Sequence, residues 1–110
     1  MRLFIDTSNN LQTVISLDSQ TFITNYQSPR QQNVMGALVS ALNQTHQTIQ
    51  QVTSIEINPG PGSFTGIRVG LSIANALSLA LNVPINNQPP GTPIQAIYGK
   101  PASITPSKKT

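Results

Sequence analysis

The residues of this chain best suited to chemistry lie in one run, Asn58-Pro59-Gly60-Pro61-Gly62-Ser63-Phe64-Thr65-Gly66-Ile67-Arg68-Val69-Gly70, which holds four glycines and two prolines. Glycines at this density allow positive φ and close backbone approach, while each proline fixes φ and removes a donor. A Gly-rich turn between a strand and a helix also aims backbone N–H groups at an anion. The candidate phosphate or nucleotide loop therefore comprises Gly60, Gly62 and Ser63, with Asp6 and Thr7 at the end of the first strand pattern. Asp6 stands where a magnesium- or phosphate-facing carboxylate would stand, and it suits an Asx turn equally well. The competing reading of the run is a close-packed strand-to-helix turn capped by Ser63 or Thr65. Spacing weighs against the cradle. No Lys-Ser/Thr follows Gly66 as in a Walker loop, and no acidic residue follows at the distance a dinucleotide site uses.

The remaining material for catalysis is sparse. Asp6, Asp18 and Glu56 are the only side-chain carboxylates, and a single Asp holds magnesium only with the help of water and substrate phosphates. His46 is the one histidine, and there is no cysteine, so neither a zinc site nor a disulfide can be assembled. No Ser-His-Asp arrangement can be argued either. The sequence predicts no catalytic residue, no metal site and no cofactor for this chain alone.

Composition narrows the class further. The 110 residues suffice for one core. Only 8% are charged, so Asn, Gln, Ser and Thr take over the polar positions. The formal charge of +3 rests on six basic residues, two of them Lys108 and Lys109, without the Arg/Lys stripe of a nucleic-acid face. No signal-peptide pattern opens the chain, and no stretch of eighteen uninterrupted apolar residues occurs. The expectation is a cytoplasmic protein with no membrane part.

The elements that must position the run read as follows. Arg2 to Asp6, Gln12 to Leu17 and Thr21 to Tyr26 are short strands in a meander. From Gln31 to about Gln47, Val34, Met35, Leu38, Val39 and Leu42 recur at helical spacing. Val52 to Ile57 is a fourth strand, Phe64 to about Leu81 a second helix, and Val83 to Ile85 a short fifth strand. Residues 88–110 carry five of the nine prolines, and only 94–98 could form an edge strand there. The order β-β-β-α-β-α-β predicts an α/β fold with a mixed sheet of about five strands.

On the second helix, Gly66, Gly70, Ala74 and Ser78 repeat every four residues and form a ridge of small side chains. Such a ridge lets another helix approach closely. A helix apolar nearly all the way round must be covered on more than one side. The expected partner interface is therefore Met35, Val39 and Leu42 with Gly66, Gly70, Ala74 and Ser78. On that expectation, Leu at position 70 or 74 blocks docking and leaves the monomer folded.

These same residues carry a resemblance. Pro59 to Gly70, continued by Leu71-Ser72-Ile73-Ala74-Asn75-Ala76-Leu77, is similar to the signature of the TsaB (YeaZ) family, and Leu3-Phe4-Ile5-Asp6-Thr7-Ser8 resembles its first strand and turn. The match spans about residues 1–87, which the resemblance makes the family's N-terminal lobe, followed by a Pro-rich tail at 88–110. It implies a shortened member with a single actin-like ATPase (ribonuclease H-like) lobe. It implies a non-catalytic partner of the TsaD transferase, which makes threonylcarbamoyladenosine next to the anticodon of tRNA. Docking would run through a helix bundle with a TsaD-type subunit or with a second copy. A TsaE-type ATPase is a further implied member, tRNA is reached indirectly, and ATP with magnesium enters only in the complex. The sequence departs from the pattern at Gln31-Gln32, where the family commonly has His-Ser. The alternatives are a small nucleotide-binding, actin-like ATPase-type enzyme and an independent homodimeric interaction protein.

Overall fold

The computed structural model describes residues 1–97. Alternation with a period of two builds the sheet. β1 (Arg2–Asp6) turns Leu3 and Ile5 inward, β2 (Gln12–Leu17) turns in Thr13, Ile15 and Leu17, and β4 (Ser54–Ile57) turns in Ile55 and Ile57. β3 (Gln20–Asn25) is mostly exposed. The order is β3-β2-β1-β4, with β1 parallel to β4 and both other pairs antiparallel. Register places Leu3 beside Leu17 and Ile55, and Ile5 beside Ile15 and Ile57. A slip of one residue would turn this whole set to water.

The fifth strand is reduced to a single parallel bridge between Ile55 and Ile85. Pro84 offers no N–H, and Asn86 (φ 49°) and Asn87 (φ 61°) take left-handed backbone that swings the chain off the sheet. The expected edge strand at 94–98 is likewise absent over 94–97, and Tyr98 lies outside the described residues.

Two helices cover the inner face. α1 (Val34–Gln44) begins three residues later than the periodicity suggests, because Pro29–Gln31 forms a 3-10 turn and Asn33 is the cap, its side chain accepting from the Gly36 N–H at 2.9 Å. It ends at Gln44, where the Thr45 hydroxyl donates to the carbonyls of Ala41 and Leu42. α2 (Phe64–Leu81) matches its expected span, with Ser63 as N-cap and Asn82 closing it in left-handed backbone. Val34, Leu38 and Ala41 of α1 and Ile67, Leu71 and Ala74 of α2 join the sheet residues in one core.

α2 lies unusually close to β1, and its ridge is the reason. A Cβ at Gly66 would fall on the Thr7 carbonyl oxygen, and one at Gly70 on the Thr7 hydroxyl. Thr7 is fully buried and donates to the Gly66 carbonyl at 2.6 Å. Further along, Ser78 donates to the Val83 carbonyl at 2.7 Å and accepts from the Gly91 N–H at 3.0 Å. Gly66, Gly70, Ala74 and Ser78 are thus buried inside this chain, and Leu42 is buried with them. This corrects their assignment as partner contacts: Gly66 and Gly70 make room for Thr7, and Ser78 bonds the segment that follows α2. Leu at position 70 is accordingly expected to unfold the domain rather than only block docking.

Ala in place of Gly70 is expected to lower stability by about 1–3 kcal/mol, the usual cost of overpacking, measured by urea denaturation. On a Thr7→Ala background the same change should cost less, because the hydroxyl it strikes is gone. An equal penalty in both backgrounds would contradict this packing.

Candidate functional site: a closed loop and an open helix face

The Gly-rich run meets the end of β1 through a dense set of internal bonds. Asp6 Oδ1 accepts from the Ser8 N–H at 2.9 Å and from the Ser8 hydroxyl at 2.7 Å, which is the Asx-turn arrangement. The Ser63 N–H donates to the Ser8 carbonyl at 2.7 Å, and Asn58 Nδ2 reaches the Ser8 hydroxyl at 3.4 Å. The Gly60 N–H donates to Asn58 Oδ1 at 3.0 Å, and the Gly66 N–H to the Ser63 hydroxyl at 3.3 Å. Asp6, Gly60, Gly62 and Ser63 are therefore brought together around Ser8 and Asn58. Thr7 is not part of their surface, because its side chain points into the α2 contact.

The donors that a phosphate cradle would use at Gly60, Ser63 and Gly66 are already bonded to protein oxygens. The glycines have local reasons as well. Gly60 holds φ 112°, and a Cβ there would fall on the Ile97 carbonyl. A Cβ at Gly62 would fall on the Ser8 carbonyl. Ile97 itself donates to the Pro59 carbonyl at 2.7 Å, so the segment after α2 closes over the loop. Among the described residues, no group of three or more His, Cys, Asp or Glu side chains is placed to share a metal ion.

The outer faces of the helices are different. Met35 and Val39, one turn apart on α1, are 47% and 48% exposed. On α2 the side away from the sheet carries Phe64, Val69 and Leu79, which are 55%, 40% and 72% exposed. Arg68 lies over the Phe64 ring, 5.1 Å from its centroid. Phe64, Thr65, Arg68, Val69, Ser72 and Ile73 line a shallow groove along this side. Sequence reasoning named Met35 and Val39 and missed Phe64, Val69 and Leu79. The signal was present for two of them: Val69 and Leu79 lie on the side of the helix opposite the small ridge. In length and mean hydropathy, 1.4, α2 would also suit a membrane span, but a core helix passes the same test and one side of α2 is packed on the sheet.

Comparison with known proteins places this arrangement. Residues 26–87 match the family model described as TsaD: tRNA N6-adenosine threonylcarbamoyltransferase. The chain is 35% identical over 88 residues to the tRNA threonylcarbamoyladenosine biosynthesis protein TsaB of Bacillus subtilis (strain 168), covering 76% of this chain and 38% of that protein. It is 28% identical over 86 residues to the TsaB of Escherichia coli (strain K12), covering 76% of this chain and 37% of the relative. Among solved structures, YeaZ from Pseudomonas aeruginosa superposes with a TM-score of 0.63 at 23% identity, over 76% of this chain and 42% of that one. The class is a tRNA-modification family with a TsaD-like domain. Within it, the chain belongs to the TsaB (YeaZ) family. It spans less than half the length of these relatives.

With the N–H groups of Gly60, Ser63 and Gly66 already engaged, the loop is expected to give no saturable heat when magnesium and ATP are titrated into the isolated chain by calorimetry. Stoichiometric binding would overturn the closed-loop description.

Proposed function

We propose that this chain is a non-catalytic activator of a TsaD-type transferase in the formation of threonylcarbamoyladenosine on tRNA. The observation that carries the reading is the set of exposed apolar side chains on α1 and α2: Met35, Val39, Phe64, Val69 and Leu79. Exposed apolar side chains of this kind, on helices whose inner sides join the core, suit a partner helix. The fold that fits is one lobe of an actin-like (ribonuclease H-like) ATPase, since an antiparallel hairpin side joined to a parallel β1–β4 crossover is compatible with that architecture.

In this reading the interface keeps Met35 and Val39 from the sequence expectation and exchanges the buried ridge for Phe64, Val69 and Leu79. The TsaD-type subunit supplies the transferase chemistry. A TsaE-type ATPase and tRNA join only through the assembly, in the cytoplasm. The nucleotide-binding enzyme is the less favoured alternative, because the Gly60, Ser63 and Gly66 donors of the loop are engaged inside the chain.

A pull-down with the TsaD-type subunit of the same cell, followed by a tRNA-modification assay with and without this chain, tests the proposal. Val69→Asp and Leu79→Asp are each expected to cost about 1 kcal/mol or more of binding, and together to abolish co-purification. Both side chains face water, so thermal unfolding should shift little. Retention of the complex by the folded double variant would place the interface elsewhere.

A further inference from the structure

The chain leaves the β4 edge through two turns that its sequence encodes. Asn86 and Asn87, both at positive φ, make the two-residue turn that pairs Ile85 with Gln88 through bonds of 3.1 and 2.8 Å. Pro89-Pro90-Gly91-Thr92 follows with the features of a type II turn. Pro90 presets its own φ, Gly91 supplies φ 80°, and the Thr92 N–H closes on the Pro89 carbonyl at 3.1 Å. Residues 93–97 then run as an arm outside any helix or strand, with Ile94 and Ala96 partly buried and Pro93, Gln95 and Ile97 exposed. That alternation is a strand's, yet the surface beneath it is a helix.

α2 holds the arm by its backbone, and the contacts run back along the helix. Ser78 accepts from the Gly91 N–H at 3.0 Å. About one turn earlier, Asn75 takes both backbone groups of Ile94: its Oδ1 accepts from the N–H at 3.1 Å and its Nδ2 donates to the carbonyl at 3.4 Å. The Ile97 N–H ends the series on the Pro59 carbonyl at 2.7 Å. An asparagine amide imitates a strand here as it does at the β4 edge, which Asn86 seals. There Asn86 Oδ1 accepts from the Ile57 N–H at 2.8 Å, and Asn86 Nδ2 donates to the Ile57 carbonyl at 3.1 Å. The two seals differ in depth. Ile57 is buried in the core, whereas Ile94 and Ala96 only pack against it. A segment with few buried apolar contacts and no regular structure belongs to the part of a protein that opens first. The bonds that fold the Gly-rich loop onto Asn58, Ser8 and Ser63 do not involve the arm, so its departure leaves them in place.

We propose that the flank of α2 from Ser78 through Asn75 to the Pro59 carbonyl is a groove for an extended peptide segment, and that residues 93–97 are its resident occupant, a strap that opens without the core. Recognition runs through backbone groups and alternate side chains. The ligand class is therefore an extended segment with apolar residues at every second position, as in Ile94-Gln95-Ala96. Charge takes no part, because no charged residue occurs from Val69 to Ile97. Pro89, Pro90 and Pro93 restrict the unseated strap, so little chain entropy opposes its return. Opening bares the Asn75 amide, the Ser78 hydroxyl and the Pro59 carbonyl together, which are the groups a second segment of the same kind would take up.

Amide hydrogen exchange on the full chain reads the strap. Asn75→Ala should speed exchange at Gly91 and Ile97 about tenfold or more, although Asn75 bonds neither, and leave Ile15 and Leu71 unchanged. Acceleration at Ile94 alone, or equally at Ile15 and Leu71, overturns the proposal. The groove is read with a fluorescent peptide carrying the sequence of residues 89–97. Ile94→Asp unseats the resident arm, and because Ile94 is only partly buried the variant should keep its circular dichroism. That chain should bind the peptide saturably and about tenfold or more tighter than the unmodified chain, where the tethered arm competes at high effective concentration. Adding Asn75→Ala should abolish the binding. Equal binding by the two chains, no binding by Ile94→Asp, or binding that survives Asn75→Ala overturns the proposal as well.

Discussion

The buried hydrogen bond from the Thr7 hydroxyl to the Gly66 carbonyl, 2.6 Å long, is the constraint on which the rest of the arrangement hangs. It ties the first turn of α2 to the end of β1, 59 residues apart in sequence. The bond is formed only because the helix carries no Cβ at positions 66 and 70, where either would strike Thr7. A buried hydroxyl without its acceptor would cost about 1–3 kcal/mol, so the two elements hold each other in one place. Once α2 sits there, Ser78 falls at the Val83 turn and Ile67 and Leu71 fill the core. The preceding loop is then drawn down onto Ser8.

That single placement decides which parts of the Gly-rich run are available. Its glycines look inward, toward Thr7, Ser8 and the Ile97 carbonyl, and the N–H groups of Gly60, Ser63 and Gly66 are engaged by protein oxygens. What remains for another molecule is the opposite side of α2, where Phe64, Val69 and Leu79 emerge, with Met35 and Val39 on α1. On the proposed reading, the small side chains prepare a docking surface indirectly: they let the helix sit close to Thr7, and the bulky residues face outward.

Much of this was legible in the sequence. A short apolar run ending in turn residues located β1 and period-two alternation located β2, both to the residue, and the span of α2 followed from its apolar run between Ser63 and Asn82. Strand and helix ends set by local chemistry were harder: Asn33 rather than Gln31 starts α1, and Pro84 with two left-handed asparagines ends the would-be fifth strand. The ridge was seen but assigned to the wrong neighbour. Spacing shows that Gly66, Gly70, Ala74 and Ser78 share a face, and it cannot show whether a helix or a strand end lies against that face. Only the three-dimensional position of Thr7 settles it. The edge-sealing role of Asn86 had no sequence signal, because it depends on a side chain imitating backbone.

The central claim is that the ridge is spent inside the chain and that the opposite side of the helices does the docking. Methyl-resolved NMR of the chain titrated with the TsaD-type subunit reads it most directly. The account predicts large perturbations at Met35, Val39, Val69 and Leu79, with Ile5, Ile57 and Ala74 unmoved. Perturbations centred on Ala74 and its neighbours, or confined to Val14 and Ile23 on the sheet, would contradict it.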